Sequence, residues 1–239
     1  MHRPTLLATA FAWTGALLFV GSLTYFLYAY SGPFGWTGAA GRLATPVGID
    51  VALFSLFALH HSLFARTGLK ARVRRAFPAV LERSLYVWVA SLAFLAVCWW
   101  WQPVPGVAYT LESPWRWIGF AAQAAGIVLT LLGSKALDVF DLAGVRAVIP
   151  TPGGTVPARL PLVTTGVYRI VRHPLYTGWA LLVFGAPDMT ATRLTFALVS
   201  TAYLAMAIPW EERGLVETFG EEYRHYRNTQ RWRMIPGIY

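Results

Sequence analysis

Charge is what this chain has least of: Asp, Glu, Lys and Arg make up 13% of its 239 residues, about half the share usual in soluble domains. So few ionic groups cannot wet a surface of that size, which excludes an ordinary soluble protein. Cysteine is nearly absent. The single thiol, Cys98, lies inside an apolar run, so no intrachain disulfide and no cysteine-based metal site is possible, and the residue reads as a small buried hydrophobe. Zinc-ligand spacing is missing too: the adjacent His60 and His61 project to different faces of a helix, and no metal is expected. Acidic residues are few, 11 against 20 basic ones, for a formal charge of +9. The basic residues occupy short stretches between apolar runs rather than an aromatic-studded soluble face. Their expected counterpart is therefore anionic lipid, not nucleic acid. There is no internal repeat and no low-complexity tract.

What the chain does have is 56% hydrophobic residues, 11 tryptophans and a mean hydropathy of +0.48. Runs at Leu6–Tyr30, Val47–Phe64, Leu85–Trp101 and Trp117–Leu137 each approach the ~20 residues a helix needs to cross hydrocarbon. The first is longer than a signal-peptide core, and no small-residue cleavage site follows it, so it is expected to stay as a helix. Two shorter runs, Leu175–Ala186 and Leu194–Ile208, flank Pro187-Asp188-Met189-Thr190, and the first of them is too short to span alone. Arg66, Lys70, Arg72, Arg74, Arg75 and Arg83, opposed by Glu82, mark the loop after the second run as cytoplasmic. Alternation then gives about six spans with both termini in the cytoplasm. The expectation is an all-α polytopic transmembrane bundle in a bacterial-type inner membrane, one domain over residues 1–239 with residues 138–239 as its cofactor-binding part. Thr151–Pro161 is full of helix breakers and reads as a loop. Leu215, Phe219, Tyr223 and Tyr226 recur at helical spacing and predict an amphipathic helix at the interface. Gln123 is expected to bond between helices, and Trp99, Trp100 and Trp101 to join an interfacial belt.

The polar chemistry is concentrated between Gly166 and Gly178, where Tyr168, Arg169, Arg172, His173, Pro174 and Tyr176 stand at the mouth of an apolar run. Ionisable residues clustered at membrane depth are functional by default, because they are costly to place there. The arginines offer donors for a carboxylate, and the aromatic faces suit a cationic or purine group. Glu211-Glu212-Arg213 closes the next apolar stretch and meets the first knot if the intervening chain forms a hairpin. A carboxylate there is a natural acceptor for ribose hydroxyls or an ammonium group. His61, near the cytoplasmic end of the second run, and Arg83, before the third, are candidates to deprotonate or steady an acceptor.

These residues resemble a known family. Leu162-Val163-Thr164-Thr165-Gly166-Val167-Tyr168, Arg172-His173-Pro174-Leu175-Tyr176-Thr177-Gly178-Trp179, Glu211-Glu212 and Phe219-Gly220-Glu221-Glu222-Tyr223-Arg224-His225-Tyr226 are similar to the isoprenylcysteine carboxyl methyltransferase superfamily, which includes bacterial phospholipid methyltransferases. His61-Ser62-Leu63-Phe64-Ala65-Arg66, Glu82-Arg83-Ser84-Leu85-Tyr86-Val87, Phe140-Asp141-Leu142-Ala143-Gly144-Val145-Arg146 and Pro187-Asp188-Met189-Thr190 extend the resemblance to its methanethiol S-methyltransferase and NnrU branch. The resemblance implies S-adenosylmethionine as cofactor. It places Tyr168, His173, Pro174, Leu175, Tyr176 and Glu211 at the positions that bind it, with Leu160, Pro161, Leu162 and Val163 lining the same pocket. Arg172 or Arg169 is expected to hold the methionyl carboxylate. Prenylcysteine enzymes carry an arginine one turn before the glutamate pair, where this chain has Ala207; a prenylated peptide acid is therefore disfavoured. The chain also has Val139 where the thiol enzymes usually have histidine, and His60 where they have glutamine. A small hydrophobic thiol is the expected acceptor, a lipid-like substrate the alternative, and a non-catalytic NnrU-like accessory protein the reading from another class.

Overall fold

The computed structural model describes residues 5–64, 75, 77–149 and 161–239. In chain order these form α1 (Leu6–Ser31), α2 (Ala44–Phe64), α3 (Glu82–Trp100), β1 (Val107–Thr110), α4 (Trp115–Ala136), α5 (Val139–Leu142), α6 (Pro174–Phe184), β2 (Asp188–Thr190), α7 (Ala191–Phe219) and α8 (Glu221–Thr229). Among the described residues five helices, α1 to α4 and α7, are long and apolar enough to cross a membrane, and α6 is a shorter apolar helix. This is the helical membrane bundle expected from the runs. Leu160, most of the 151–161 loop, and Arg66, Lys70, Arg72 and Arg74 lie outside the described residues. The chain divides into two compact units, one of residues 1–34, 44–102 and 138–159 and one of residues 35–43, 103–137 and 160–239.

In the first unit, α1 lies against α3. Small residues allow the approach: a Cβ on Gly15 would stand 2.8 Å from the Trp88 ring, and that ring donates its Nε1–H to the Phe11 carbonyl at 2.9 Å. Ala12 and Ala16 form a buried cluster with Leu81, Val145 and Val148. The segment after α5 is pinned by Ser84, whose hydroxyl donates to the Gly144 carbonyl at 2.6 Å. Cys98 is buried on α3, as its position in the run suggested. Of the tryptophan triplet, Trp99 and Trp100 are exposed, whereas Trp101 is buried against Phe34.

The second unit is built on the contact between α4 and α6. Gly119, Gly126 and Gly133 are the buried residues of α4, two helical turns apart and so on one face. A Cβ on Gly126 would lie 2.5 Å from the Gly178 carbonyl oxygen, and one on Gly178 would lie 2.7 Å from the Gly126 oxygen. Small residues supply close contact between helices where lipid offers no hydrophobic drive to pair them. Gln123 makes the expected interhelical bond, donating to the Leu182 carbonyl at 3.2 Å. At 11 residues, α6 is about 16 Å long, well short of the ~30 Å hydrocarbon layer. The chain beyond it is satisfied by pairing: β2 runs antiparallel to β1, and Arg116 ties the ladder to α4 through the Asp188 carboxylate.

The last long helix also differs from its apolar run. It starts where the Thr190 hydroxyl caps the Arg193 amide and continues past Ile208, through Pro209, to Phe219. It stops at Gly220, whose φ of +57° is readily available only to glycine. The aromatic face of α8 is covered by the protein itself, since Tyr223 and Tyr226 are buried against Tyr168.

Filling the α4–α6 contact should weaken this unit. Gly126→Val should lower stability by about 1–3 kcal/mol, read as a reduced thermal midpoint in detergent, whereas valine at Gly21 of α1, with nothing near its Cβ position, should leave the midpoint nearly unchanged.

Candidate active site

The Gly166–Gly178 motif folds as a 3₁₀ turn over Gly166–Arg169, followed by α6 with His173 at its N-cap and Pro174 in its first turn. Proline suits that position because its fixed φ is helical and its missing N–H would have no intrahelical partner. The turn and helix entry lie beside α7, so Arg172 and His173 reach Glu212. Arg172 Nε donates to Glu212 Oε1 at 2.7 Å, Arg172 Nη2 stands 2.7 Å from the same oxygen, and His173 Nε2 lies 3.4 Å from it. Arg233 Nε approaches the other oxygen at 3.6 Å. The Arg172 and Glu212 side chains are only 4% and 3% exposed.

Glu211, one residue earlier and turned outward, is 43% exposed at its side chain. Its Oε2 accepts the Tyr176 hydroxyl at 2.6 Å and lies 3.5 Å from His173 Nδ1. The His173 and Tyr176 rings stack at 5.3 Å with 12° between planes. Tyr168 joins Tyr223 and Tyr226 in a buried cluster that Leu162, Val163 and Leu175 complete. Tyr226 donates to the Tyr168 carbonyl at 2.6 Å. Burial, and after it the neighbouring Glu211 carboxylate and Tyr226, push the Tyr168 phenol up. Burial also pushes Tyr226 up, to about 12. Both phenols keep their protons near neutral pH and serve as donors.

The structure therefore brings together Leu162, Val163, Tyr168, Arg172, His173, Pro174, Leu175, Tyr176 and Glu211 in the second unit. Pro161 is exposed at the start of this segment, and Leu160 falls outside the described residues. His61 and Arg83 belong to the first unit and form a cluster of their own. The Tyr86 hydroxyl and His61 Nδ1 are 2.6 Å apart, one donating to the other. Arg83 lies over the Tyr86 ring at 5.2 Å and donates through Nε to the Asp141 carbonyl at 3.2 Å. Tyr86 was not singled out from sequence, although it follows Arg83 at the i+3 spacing that places both on one helix face. Among the described residues no group of three or more His, Cys, Asp or Glu is arranged to hold a metal ion.

S-adenosylmethionine, implied by the resemblance, is a zwitterion with a sulfonium, a ribose and a purine, and the donor set suits it. Glu211 offers a half-exposed carboxylate to hydroxyls or an ammonium group, and the aromatic rings offer faces to a cation. The Tyr223 hydroxyl is buried with no hydrogen-bond partner among the described residues, a polar group left over beside the same cluster. The exception is Arg172. Besides its bonds to Glu212, its Nη1 donates to the Gln230 and Arg231 carbonyls at 2.5 and 2.9 Å, so four of its five N–H donors are engaged inside the protein. Arg169, by contrast, is exposed on a groove of about 470 Å³ lined also by Thr164, Glu222, His225 and Thr229.

Breaking a buried ion pair from one side strands the other charge. Arg172→Met should cost about 3–5 kcal/mol of stability, with much of the loss recovered by adding Glu212→Leu, as measured by denaturant or thermal unfolding in detergent.

A family model described as phospholipid methyltransferase matches residues 114–222. Methanethiol S-methyltransferase 2 of Bradyrhizobium diazoefficiens is 34% identical over 190 residues, 80% of this chain and 73% of its own. The methanethiol S-methyltransferase of Crocosphaera subtropica is 39% identical over 186 residues, 77% of this chain and 73% of its own. Nurim of Xenopus laevis is 31% identical over 170 residues, 67% of this chain and 59% of its own. No solved structure matches.

Proposed function

This chain belongs to the methanethiol S-methyltransferase family of multi-pass membrane methyltransferases, and we propose that it methylates a small thiol, converting methanethiol to dimethyl sulfide, with S-adenosylmethionine as donor. The observation that carries the donor assignment is the group formed by His173, Tyr176 and Glu211, a stacked aromatic pair bridged by a half-exposed carboxylate. When bound, the donor supplies an electrophilic methyl group on a positively charged sulfur, already a good leaving group. The protein's tasks are then alignment, exclusion of water and delivery of a deprotonated acceptor.

Each residue has a task in this reading. Glu211 accepts a ribose hydroxyl or the amino group, and Tyr168, His173 and Tyr176 shape the site with Leu162, Val163, Pro174 and Leu175. Arg169 takes the methionyl carboxylate. On the acceptor side the thiolate, not the thiol, is the nucleophile. His61, hydrogen-bonded to the Tyr86 hydroxyl, receives the thiol proton. Arg83, held over Tyr86 and by Asp141, supplies positive charge that steadies the thiolate. Small volatile thiols partition into the bilayer and reach a membrane enzyme through it. The donor-binding face is cytoplasmic, in an inner membrane of bacterial type, where a charged nucleotide cofactor is available.

The phospholipid methyltransferase match over residues 114–222 favours one second reading, the same donor site serving a lipid acceptor. Two measurements on the detergent-purified chain separate these. Calorimetric titration with S-adenosylmethionine should show binding, weakened about tenfold or more by Glu211→Gln, the scale of a lost hydrogen bond to a charged group, and likewise by His173→Ala. Headspace detection after adding methanethiol should show dimethyl sulfide. His61→Ala should slow its formation by on the order of 10²-fold, and Tyr86→Phe by less, without changing donor affinity. Binding with methylated phosphatidylethanolamine and no dimethyl sulfide would transfer the assignment to the lipid reading. Absence of donor binding in folded protein would leave the accessory-protein reading.

A further inference from the structure

Beyond the 114–222 region that the family model covers, the chain returns to the motif. Gln230–Tyr239 contains no α-helix or strand, yet it is fastened at several points of the second unit. The Arg172 and His173 amides donate to the Trp232 and Arg233 carbonyls at 2.9 and 2.8 Å. Arg172 Nη1 holds the Gln230 and Arg231 carbonyls, and the Thr177 hydroxyl donates to the Met234 carbonyl at 2.6 Å. Met234 is 1% exposed.

The last fastening has a cause elsewhere in the chain. Pro209 sits inside α7 and has no N–H, so the carbonyl four residues earlier, that of Ala205, loses its helical donor. The Tyr239 hydroxyl donates to that carbonyl at 3.2 Å. The same ring lies under the Arg233 guanidinium at 5.0 Å, and its oxygen accepts from Arg233 Nη1 at 3.1 Å. Arg233 in turn faces Glu212. Amides of the segment also close back on its end, with Met234 and Ile235 N–H donating to the Tyr239 carbonyl at 2.8 and 2.9 Å.

We propose that Gln230–Tyr239 is a positioning strap for the donor site: fastened at Thr177 and at the carbonyl freed by Pro209, it sets the backbone of Arg172 and His173 and thereby the ring that stacks on Tyr176. This rests on the donor-site reading above. The strap residues are positioning residues, since they act through His173 and Glu212.

The test uses the full chain in detergent and reads the dissociation constant for S-adenosylmethionine beside the thermal midpoint. Thr177→Val and Tyr239→Phe each remove one fastening and should each raise the dissociation constant by about fivefold, the scale of one hydrogen bond, while Thr177→Ser, which keeps the hydroxyl, should restore it. Adding Pro209→Ala to Tyr239→Phe resupplies an amide to the Ala205 carbonyl. That double variant should regain the midpoint while binding stays weak, because the strap is still unfastened. Unchanged affinity in both single variants, or affinity that recovers together with the midpoint in the double variant, would overturn the strap and leave the donor site standing. Absence of binding in the unsubstituted chain would remove both.

Discussion

The carboxylate of Glu212 is the group on which the second unit most depends. Burying a glutamate and an arginine together costs several kcal/mol per ion after relaxation, and their attraction offsets that only if every remaining lone pair and N–H finds a partner. Arg172 cannot be satisfied by Glu212 alone. Its Nη1 needs the Gln230 and Arg231 carbonyls, so the chain cannot place the ion pair without also placing the segment beyond α8. Arg233, which follows, reaches the second oxygen of the same carboxylate. One buried charge thus couples the entry of α6, the last third of α7 and the segment from Gln230 to Arg233. The neighbouring Glu211 has a different fate because adjacent helical residues project about 100° apart: one carboxylate faces the protein interior, the other stays within reach of a ligand.

Helix packing provides the frame for that charge. Glycines on α4 let α6 approach until backbone carbonyls lie where a β-carbon would stand, so the short helix is held by contact rather than by length. Its entry bears the histidine and its other end leads into the β1–β2 ladder. The ladder is a device for satisfying backbone groups after a helix too short to cross by itself.

Hydrophobic length and residue type carried the reading from sequence some way. The long apolar runs became α1 to α4, Gln123 found a partner on α6, and the short run beginning at Leu175 became a short helix. The motif residues from Leu162 to Tyr176 came together with Glu211, because they are separated by a single hairpin of α6 and α7. What was not legible depends on tertiary satisfaction. The seven-residue glycine spacing in α4 resembles ordinary sequence until a partner helix is known. Pro209 reads as a helix end, yet α7 passes through it, the freed carbonyl being met by Tyr239. Residues 230–239 have no periodicity that would announce a structural role. Tyr86 carries the same residue type as many interfacial tyrosines, and only its contact with His61 distinguishes it.

Arg172 shows most plainly where inference from residue type stops. An arginine in a polar motif at membrane depth suggests a ligand carboxylate, and the rule that such charges are functional does not say whether the function is binding or folding. Here the guanidinium is engaged by Glu212 and two carbonyls, and the carboxylate presented beside His173 and Tyr176 is that of Glu211, bordered by aromatic rings. Such surroundings favour a cation over a neutral molecule of the same shape. If the donor is S-adenosylmethionine, as proposed, methyl transfer removes the positive charge from its sulfur. Carboxylate and rings would then lose part of their hold on the product, whereas Arg172, buried against Glu212, serves the fold.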